Sequence, residues 1–159
     1  MIKLVPMQDT EFEPFMQISM HDQAQGQVQT GQWKADEADA NIQKLRAQFL
    51  PQGLNTPNHY FFALTTEDLA QNVGSLWFTV VEQDGKRTFF VMDIQVYPEY
   101  RRRGYGSQAF RQMEAKALEM GITRISLHVF KQNHAARAMY EQLGYTGPHE
   151  AMVKELSKA

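Results

Sequence analysis

At 159 residues, with 43% hydrophobic and 21% charged side chains, the chain has the size and composition of one folded domain, residues 1–159, that buries roughly two thirds of its extended surface. A formal net charge of -2 argues against a general polyanion binder, so nucleic acid is not an expected partner. Zero cysteines exclude disulfides, thiolate metal sites and cysteine nucleophiles, and the five histidines lack ligand-like pairing, so no metal is expected.

No stretch approaches the roughly 18 consecutive apolar residues of a membrane helix, and MIKLVPMQDT lacks the apolar core of a secretory signal. A cytoplasmic protein without a membrane partner is the expectation. Ile2 to Met7 reads as a short strand, and Thr10 with Glu13 makes a capping-box start for a helix carrying Phe12, Phe15, Met16 and Met20. The Gln-rich piece from Gln23 to Trp33 reads as a mobile loop. Ala38, Ile42, Leu45 and Phe49 recur at helical spacing, and Pro51 with Gly53 stops that helix.

The period then changes. HYFFALTTE, VGSLWFTVVEQ and RTFFVMDIQVY read as three successive strands, the last two joined by an EQDGK turn. Gly106 to Met120 returns to helical spacing with Phe110, Met113 and Ala117 on one face, and Gly121 stops it. RISLHVF is a strand, Ala136, Met139, Tyr140 and Leu143 share a helical face ending at Gly144, and a last segment alternates through Ala151, Val153 and Leu156. The order β-α-α-β-β-β-α-β-α-β predicts a mixed α/β or α+β domain with a sheet as its spine.

YPEYRRRGYGSQAF, Tyr97 to Phe110, lies where a strand must turn sharply into a helix. The first amides of a helix have no internal partners, and with the helix dipole they favour an anion, all the more where a missing side chain lets a phosphate approach. Gly104 and Gly106 suit that role, and Arg101, Arg102 and Arg103 can add charge-assisted bonds to a diphosphate or simply brace and solvate the loop. Neither a third glycine at dinucleotide spacing nor a Gly-Lys-Ser/Thr follows, so Rossmann and Walker readings fail.

The run IQVYPEYRRRGYG from Ile94 to Gly106 resembles motif A of the GNAT N-acetyltransferase superfamily. Downstream, Leu127-His-Val, Asn133, Ala136, Tyr140 and Gly144-Tyr145 resemble its motif B. The resemblance spans Phe62 to Tyr145 and implies a GNAT-like fold: a central mixed, largely antiparallel twisted sheet with flanking helices, its strands splayed at the cofactor site. It also implies acetyl-CoA as cosubstrate. Ile94, Gln95 and Val96 would then offer backbone groups to the pantetheine arm, the amides of Arg102, Arg103, Gly104, Tyr105, Gly106 and Ser107 would hold the pyrophosphate, and Asn133, also a natural N-cap, would contact the cofactor.

Acetyl transfer to an amine needs a base and a proton for the departing thiolate. Tyr140 matches the family tyrosine that protonates the sulfur, and its alternative is a buried aromatic on an apolar helix face. For the base, His128 alternates with Leu127 and Val129, and the resemblance places it where some GNAT acetylases of peptide amines carry a glutamate used as base. Asp93, preceding Ile94 on the strand flanking the acetyl group, is its rival, and Glu82 is a weaker third. The implied activity is acetyl-CoA-dependent N-acetylation of a primary amine, on a small molecule or a peptide or protein. A non-catalytic acyl-CoA-binding module on the same fold is the alternative. The two N-terminal helices and the loops around His21, Trp33, His59 and Tyr60 would build the acceptor groove, and a homodimer is a common arrangement among similar proteins.

Overall fold

The structure, a computed structural model, describes residues 1–67, 71–148 and 150–157. The elements follow the expected order: β1 (Ile2–Pro6), α1 (Asp9–Gln29), α2 (Ala38–Phe49), β2 (His59–Thr66), β3 (Asn72–Gln83), β4 (Lys86–Val96), α3 (Tyr105–Glu119), β5 (Arg124–His128), α4 (His134–Gln142) and β6 (Ala151–Glu155). They fall into two compact units: Met7–Pro57, which holds α1 and α2, and Met1–Pro6 with Asn58–Ala159, which holds the sheet, α3 and α4.

In the helical unit, Phe12, Phe15, Met16 and Met20 are buried as their spacing predicts. The start of α1 differs from expectation. Gln8 is the N-cap and the Glu11 carboxylate accepts its backbone N–H at 2.9 Å, so Thr10 and Glu13 lie inside the helix. Glu13 instead pairs with Arg46 of α2, whose guanidinium also lies 5.7 Å from the centre of the Phe12 ring. The Gln-rich segment is helical through Gln29, because glutamine is a good helix former when no glycine or proline breaks the run for long. In α2, Ala38 and Ile42 are buried but Phe49 is 49% exposed, and Leu50 just beyond the helix is buried in its place.

The sheet is open, six-stranded and mixed, in the order β1-β2-β3-β4-β5-β6. Every neighbouring pair is antiparallel except β4 with β5, which α3 connects as a crossover. Gln83 pairs with Lys86, leaving a two-residue hairpin at Asp84 and Gly85, both at positive φ (51° and 77°) as a type I′ turn requires. One sheet face, with Phe62, Leu64, Leu76, Phe78, Phe89, Val91, Ile125 and Leu127, packs with Phe110, Met113 and Ala117 of α3 and Tyr140 of α4 into a continuous core. In β6 the buried residue is Met152, while Ala151 is exposed and Val153 half-buried, because Met152 shares the register of Leu127.

The outward side of β1 is capped by side chains, and that of β6 is covered at one residue. Along β1 the outward backbone positions are Ile2, Leu4 and Pro6: the first two donate to the side-chain oxygens of Gln108 and Gln112 of α3 (2.9 and 3.2 Å), and proline has no N–H to offer. The Gln112 amide also donates to the Ile2 carbonyl. At β6, Val153 exchanges both backbone bonds with Thr146 (3.0 and 2.8 Å). Such capping suppresses strand addition by another chain. Replacement of Gln112 by alanine strands the Leu4 N–H and the Ile2 carbonyl; the expected loss is about 1–2 kcal/mol, read from urea unfolding of the variant against wild type.

Candidate functional site

The parallel pairing of β4 with β5 runs from Thr88↔Arg124 to Val91↔Leu127 and ends there, although β4 continues to Val96 and β5 to His128. The strands therefore part, and the last four residues of β4, Asp93 to Val96, have a partner only on the β3 side. Tyr97 donates to the Val73 carbonyl at 2.9 Å, so by the alternation of an antiparallel ladder the backbone groups of Val96 and Ile94 turn away from β3, into the opening. Those of Gln95 turn toward β3, which leaves Ile94 and Val96 as the better backbone partners for an extended ligand.

A bulge decides where Asp93 points. Trp77 pairs with Asp93 but Phe78 with Val91, so Met92 is an extra residue in β4. Without it Asp93 would share the core-facing parity of Phe89 and Val91. With it, Ile94 and Val96 take the core face and the Asp93 carboxylate stays out of the core, accepting a 2.8 Å hydrogen bond from the Gln95 side-chain amide. Two residues apart on one strand, Asp93 and Gln95 share a face.

Tyr140 comes from α4 and is only 8% exposed, its ring tilted against Phe110 at 5.4 Å. Burial, and next the nearby Asp93 charge, push its phenol up to about 12, so it is a neutral proton donor at physiological pH. Its hydroxyl has no hydrogen-bond partner among the described residues. Tyr145 contrasts with it: fully buried, it donates to Glu114 at 3.0 Å, and Lys154 completes that cluster at 3.0 Å. Burial and the Glu114 charge raise the Tyr145 phenol too, but its hydroxyl is committed.

His128 lies on the sheet face opposite Leu127 and Val129, as its position in the strand predicts, with its side chain 46% exposed. Its Nε2 is 3.7 Å from the Glu150 carboxylate, and its ring meets Phe130 edge-on at 5.2 Å. The other Glu150 oxygen accepts the Lys131 N–H at 2.8 Å. The contacts of His128 are thus with Phe130 and with Glu150, whose carboxylate also holds the start of the β5–α4 loop. The Asn133 side chain accepts the Ala136 N–H at 3.2 Å and caps α4, its structural role. Glu82 sits near the β3–β4 turn, paired in register with Arg87.

In the loop before α3, Arg101 donates from Nε to the Val96 carbonyl at 2.8 Å, a brace within the chain. Arg103 lies over the Tyr100 ring at 5.8 Å, and Arg102 takes a left-handed backbone, φ 65°. The arginines are therefore unequal. Gly104, the α3 N-cap, also has φ in the left-handed region (80°), and an added Cβ would meet nothing, so its requirement is backbone conformation at an open position. Gly106 differs: a Cβ there would lie 3.2 Å from the Met139 sulfur and 3.9 Å from Val96, so its missing side chain serves α3–α4 packing. Intrahelical bonding starts with Gln108 donating to Gly104 at 3.1 Å. The amides of Tyr105, Gly106 and Ser107 thus lack acceptors within the helix and fit an anionic oxygen.

With this geometry in place, comparison with known proteins is informative: the sequence profile of the Acetyltransferase (GNAT) family matches residues 20–145. The chain belongs to that family. YycN of Bacillus subtilis (strain 168), described as an uncharacterized N-acetyltransferase, is 34% identical over 98% of this chain and 99% of its own. YdgE of the same organism, with the same description, is 29% identical over 96% and 97%. The YycN crystal structure superposes with a TM-score of 0.87, covering 99% of this chain and 100% of that one. The PaiA N-acetyltransferase of Thermoplasma acidophilum, solved in complex with coenzyme A, shares the fold at 15% identity, TM-score 0.64, over 98% and 99% of the two chains. No helix among the described residues is long and apolar enough to cross a membrane.

The raised Tyr140 phenol has a stability consequence. An acid held neutral by folding stabilises the native state fully below its unfolded value near 10, and that contribution falls as pH rises from there through about 12. In an alkaline absorbance titration, the difference between wild type and Tyr140→Phe should therefore develop near pH 12 and not near the ordinary tyrosine value.

Proposed function

We propose that this chain is an acetyl-CoA-dependent N-acetyltransferase, active on a primary amine of a small molecule, peptide or protein by direct attack on the thioester. The observation that carries the reading is the Tyr140 hydroxyl: borne on a largely buried ring, neutral, and without a hydrogen-bond partner among the described residues. A structural tyrosine in the same core, Tyr145, has its hydroxyl bonded. The Tyr140 hydroxyl is thus a donor that the protein's own described groups leave for another atom to accept.

Acetyl-CoA supplies an acetyl group activated as a thioester. The outward backbone groups of Ile94 and the Val96 N–H would hold its arm, and the amides of Tyr105, Gly106 and Ser107, reached through the turn at Arg102, Arg103 and Gly104, would hold its diphosphate. The coenzyme A complex of PaiA supports a coenzyme in this fold. Asp93, through a water molecule, would take the proton released as the amine nitrogen bonds the acetyl carbon. Tyr140 would give its proton to the sulfur as the carbon–sulfur bond breaks. We place Asp93 before His128 as base because acid and base must address one reacting carbon, and it is the Asp93 charge that reaches Tyr140. The single domain and the cytoplasmic location stay part of this reading.

Tyr140→Phe should lower kcat about 100-fold with little change in KM for acetyl-CoA, followed by thiol release across a panel of amines. Asp93→Asn should lose more than His128→Gln in that assay, and the reverse order would transfer the base role to His128. Stabilisation by acetyl-CoA without turnover on any amine would instead support an acyl-CoA-binding module. For the cradle, Gly104→Val should weaken coenzyme A binding, measured calorimetrically, more than alanine at Arg101, Arg102 or Arg103 singly; equal losses would assign the affinity to the guanidiniums.

A further inference from the structure

The backbone proposed to carry the coenzyme, from Gln95 through the α3 N-terminus, is an irregular stretch with few strand bonds to hold it. Its support comes from the start of β3. Four consecutive residues there, Gln71 to Gly74, each contribute a contact either to that stretch or to one another. The Tyr100 hydroxyl donates to the Gln71 side-chain oxygen at 2.9 Å, and the Val73 carbonyl accepts the Tyr97 N–H at 2.9 Å. The Asn72 side-chain oxygen accepts the Gly74 N–H at 3.1 Å, fixing the peptide that brings Gly74 against β4.

Gly74 is a close-approach glycine. Its φ is not in the left-handed region, so conformational freedom does not explain it. A Cβ built there would lie 2.0 Å from the Gln95 carbonyl oxygen, 3.0 Å from the Gln95 carbonyl carbon and 3.1 Å from the Val96 Cα. All three are backbone atoms that no rotamer change can move. Any side chain at 74 must therefore push the end of β4 away by more than about 1 Å before ordinary contact distances return. On its β2 side the strand is irregular here: the pairing passes from Leu64↔Gly74 to Thr65↔Asn72 and skips Val73. Gln71 is itself tied back to β2, its carbonyl accepting the Thr66 N–H at 3.0 Å, so the support reaches the rigid sheet.

We infer that the Gln71–Gly74 segment, through the Gln71–Tyr100 bond and the close approach of Gly74 to Gln95 and Val96, is the positioning element of the acyl-CoA site. None of these four residues touches the proposed ligand path; they set where its backbone donors stand. This assignment rests on the acetyl-CoA reading above for what is being positioned, but the support itself is a property of the ligand-free chain.

The test uses Gln71→Ala, Tyr100→Phe and Gly74→Ala in the full chain, with coenzyme A as the probe. Loss of one bond should raise the coenzyme A Kd about threefold to tenfold in Gln71→Ala and in Tyr100→Phe, with the double variant no worse than either alone. Gly74→Ala should raise it more than either, because it shifts the backbone itself where the others remove one bond, and kcat at saturating acetyl-CoA should move less than KM in each variant. Amide hydrogen exchange in the ligand-free protein should be faster at residues 97–104 in Gln71→Ala. Wild-type Kd in both Gln71→Ala and Tyr100→Phe would overturn the inference even if Gly74→Ala failed to fold, and so would unchanged exchange. Absence of coenzyme A binding by the wild type would sink the acetyl-CoA reading, while the exchange measurement would still decide the brace.

Discussion

The parting of β4 from β5 beyond Val91 and Leu127 is the constraint on which the candidate site depends. A parallel pair that stays zipped uses its backbone groups internally and presents only side chains. Here the ladder stops while both strands run on, so a stretch of β4 keeps backbone donors and acceptors facing an opening. The core makes this tolerable: Ile94 and Val96 still pack their side chains on the sheet core, and β3 holds the other edge of the strand. An unpaired backbone stretch inside a folded unit is costly unless something bonds it, which is why one carbonyl, that of Val96, is taken by Arg101.

Two single-residue irregularities lie beside the candidate site. The extra Met92 in β4 turns Asp93 away from the apolar core it would otherwise enter. In β3, Val73 is skipped in the pairing with β2, and Gly74 beside it lies against the end of β4. A regular β4 could not turn Asp93 so, since the period of two commits alternate residues to fixed faces. In the same core, two tyrosines, one in the last turn of α4 and one just beyond its end, divide their roles. Tyr145 is locked to Glu114 and Lys154, whereas Tyr140 keeps its proton and an open hydroxyl.

The sheet edges bear on assembly. Along β1, Gln108, Gln112 and Pro6 leave no free backbone N–H at Ile2, Leu4 or residue 6 for strand addition by a second copy, while at β6 one bridge, to Thr146, occupies Val153. The capping of β1 also ties that strand to α3, whose first turn is the proposed anion cradle. The helix that would receive the diphosphate is thereby fixed to the sheet one and two turns further on.

The order of elements was legible by itself, because hydrophobic period and turn residues are local properties: Asp84-Gly85 between two apolar runs specifies a hairpin without reference to the rest. So was the anion loop, since glycine before a helix start has a local meaning, and so was the helical face that buries Tyr140. The limits of helices were less so, as the N-cap at Gln8 and the helical Gln-rich run show, because propensity there is weak and context decides. What only the tertiary structure decided was register and mutual approach. The bulge at Met92, the bracing of Val96 by Arg101, the Gly106–Met139 packing and the Gly74–Gln95 contact all join residues distant in sequence or depend on pairing with another strand. The physical reason is that a residue type records what a position can do, whereas which backbone it must avoid or bond is set by the neighbour that folding brings against it.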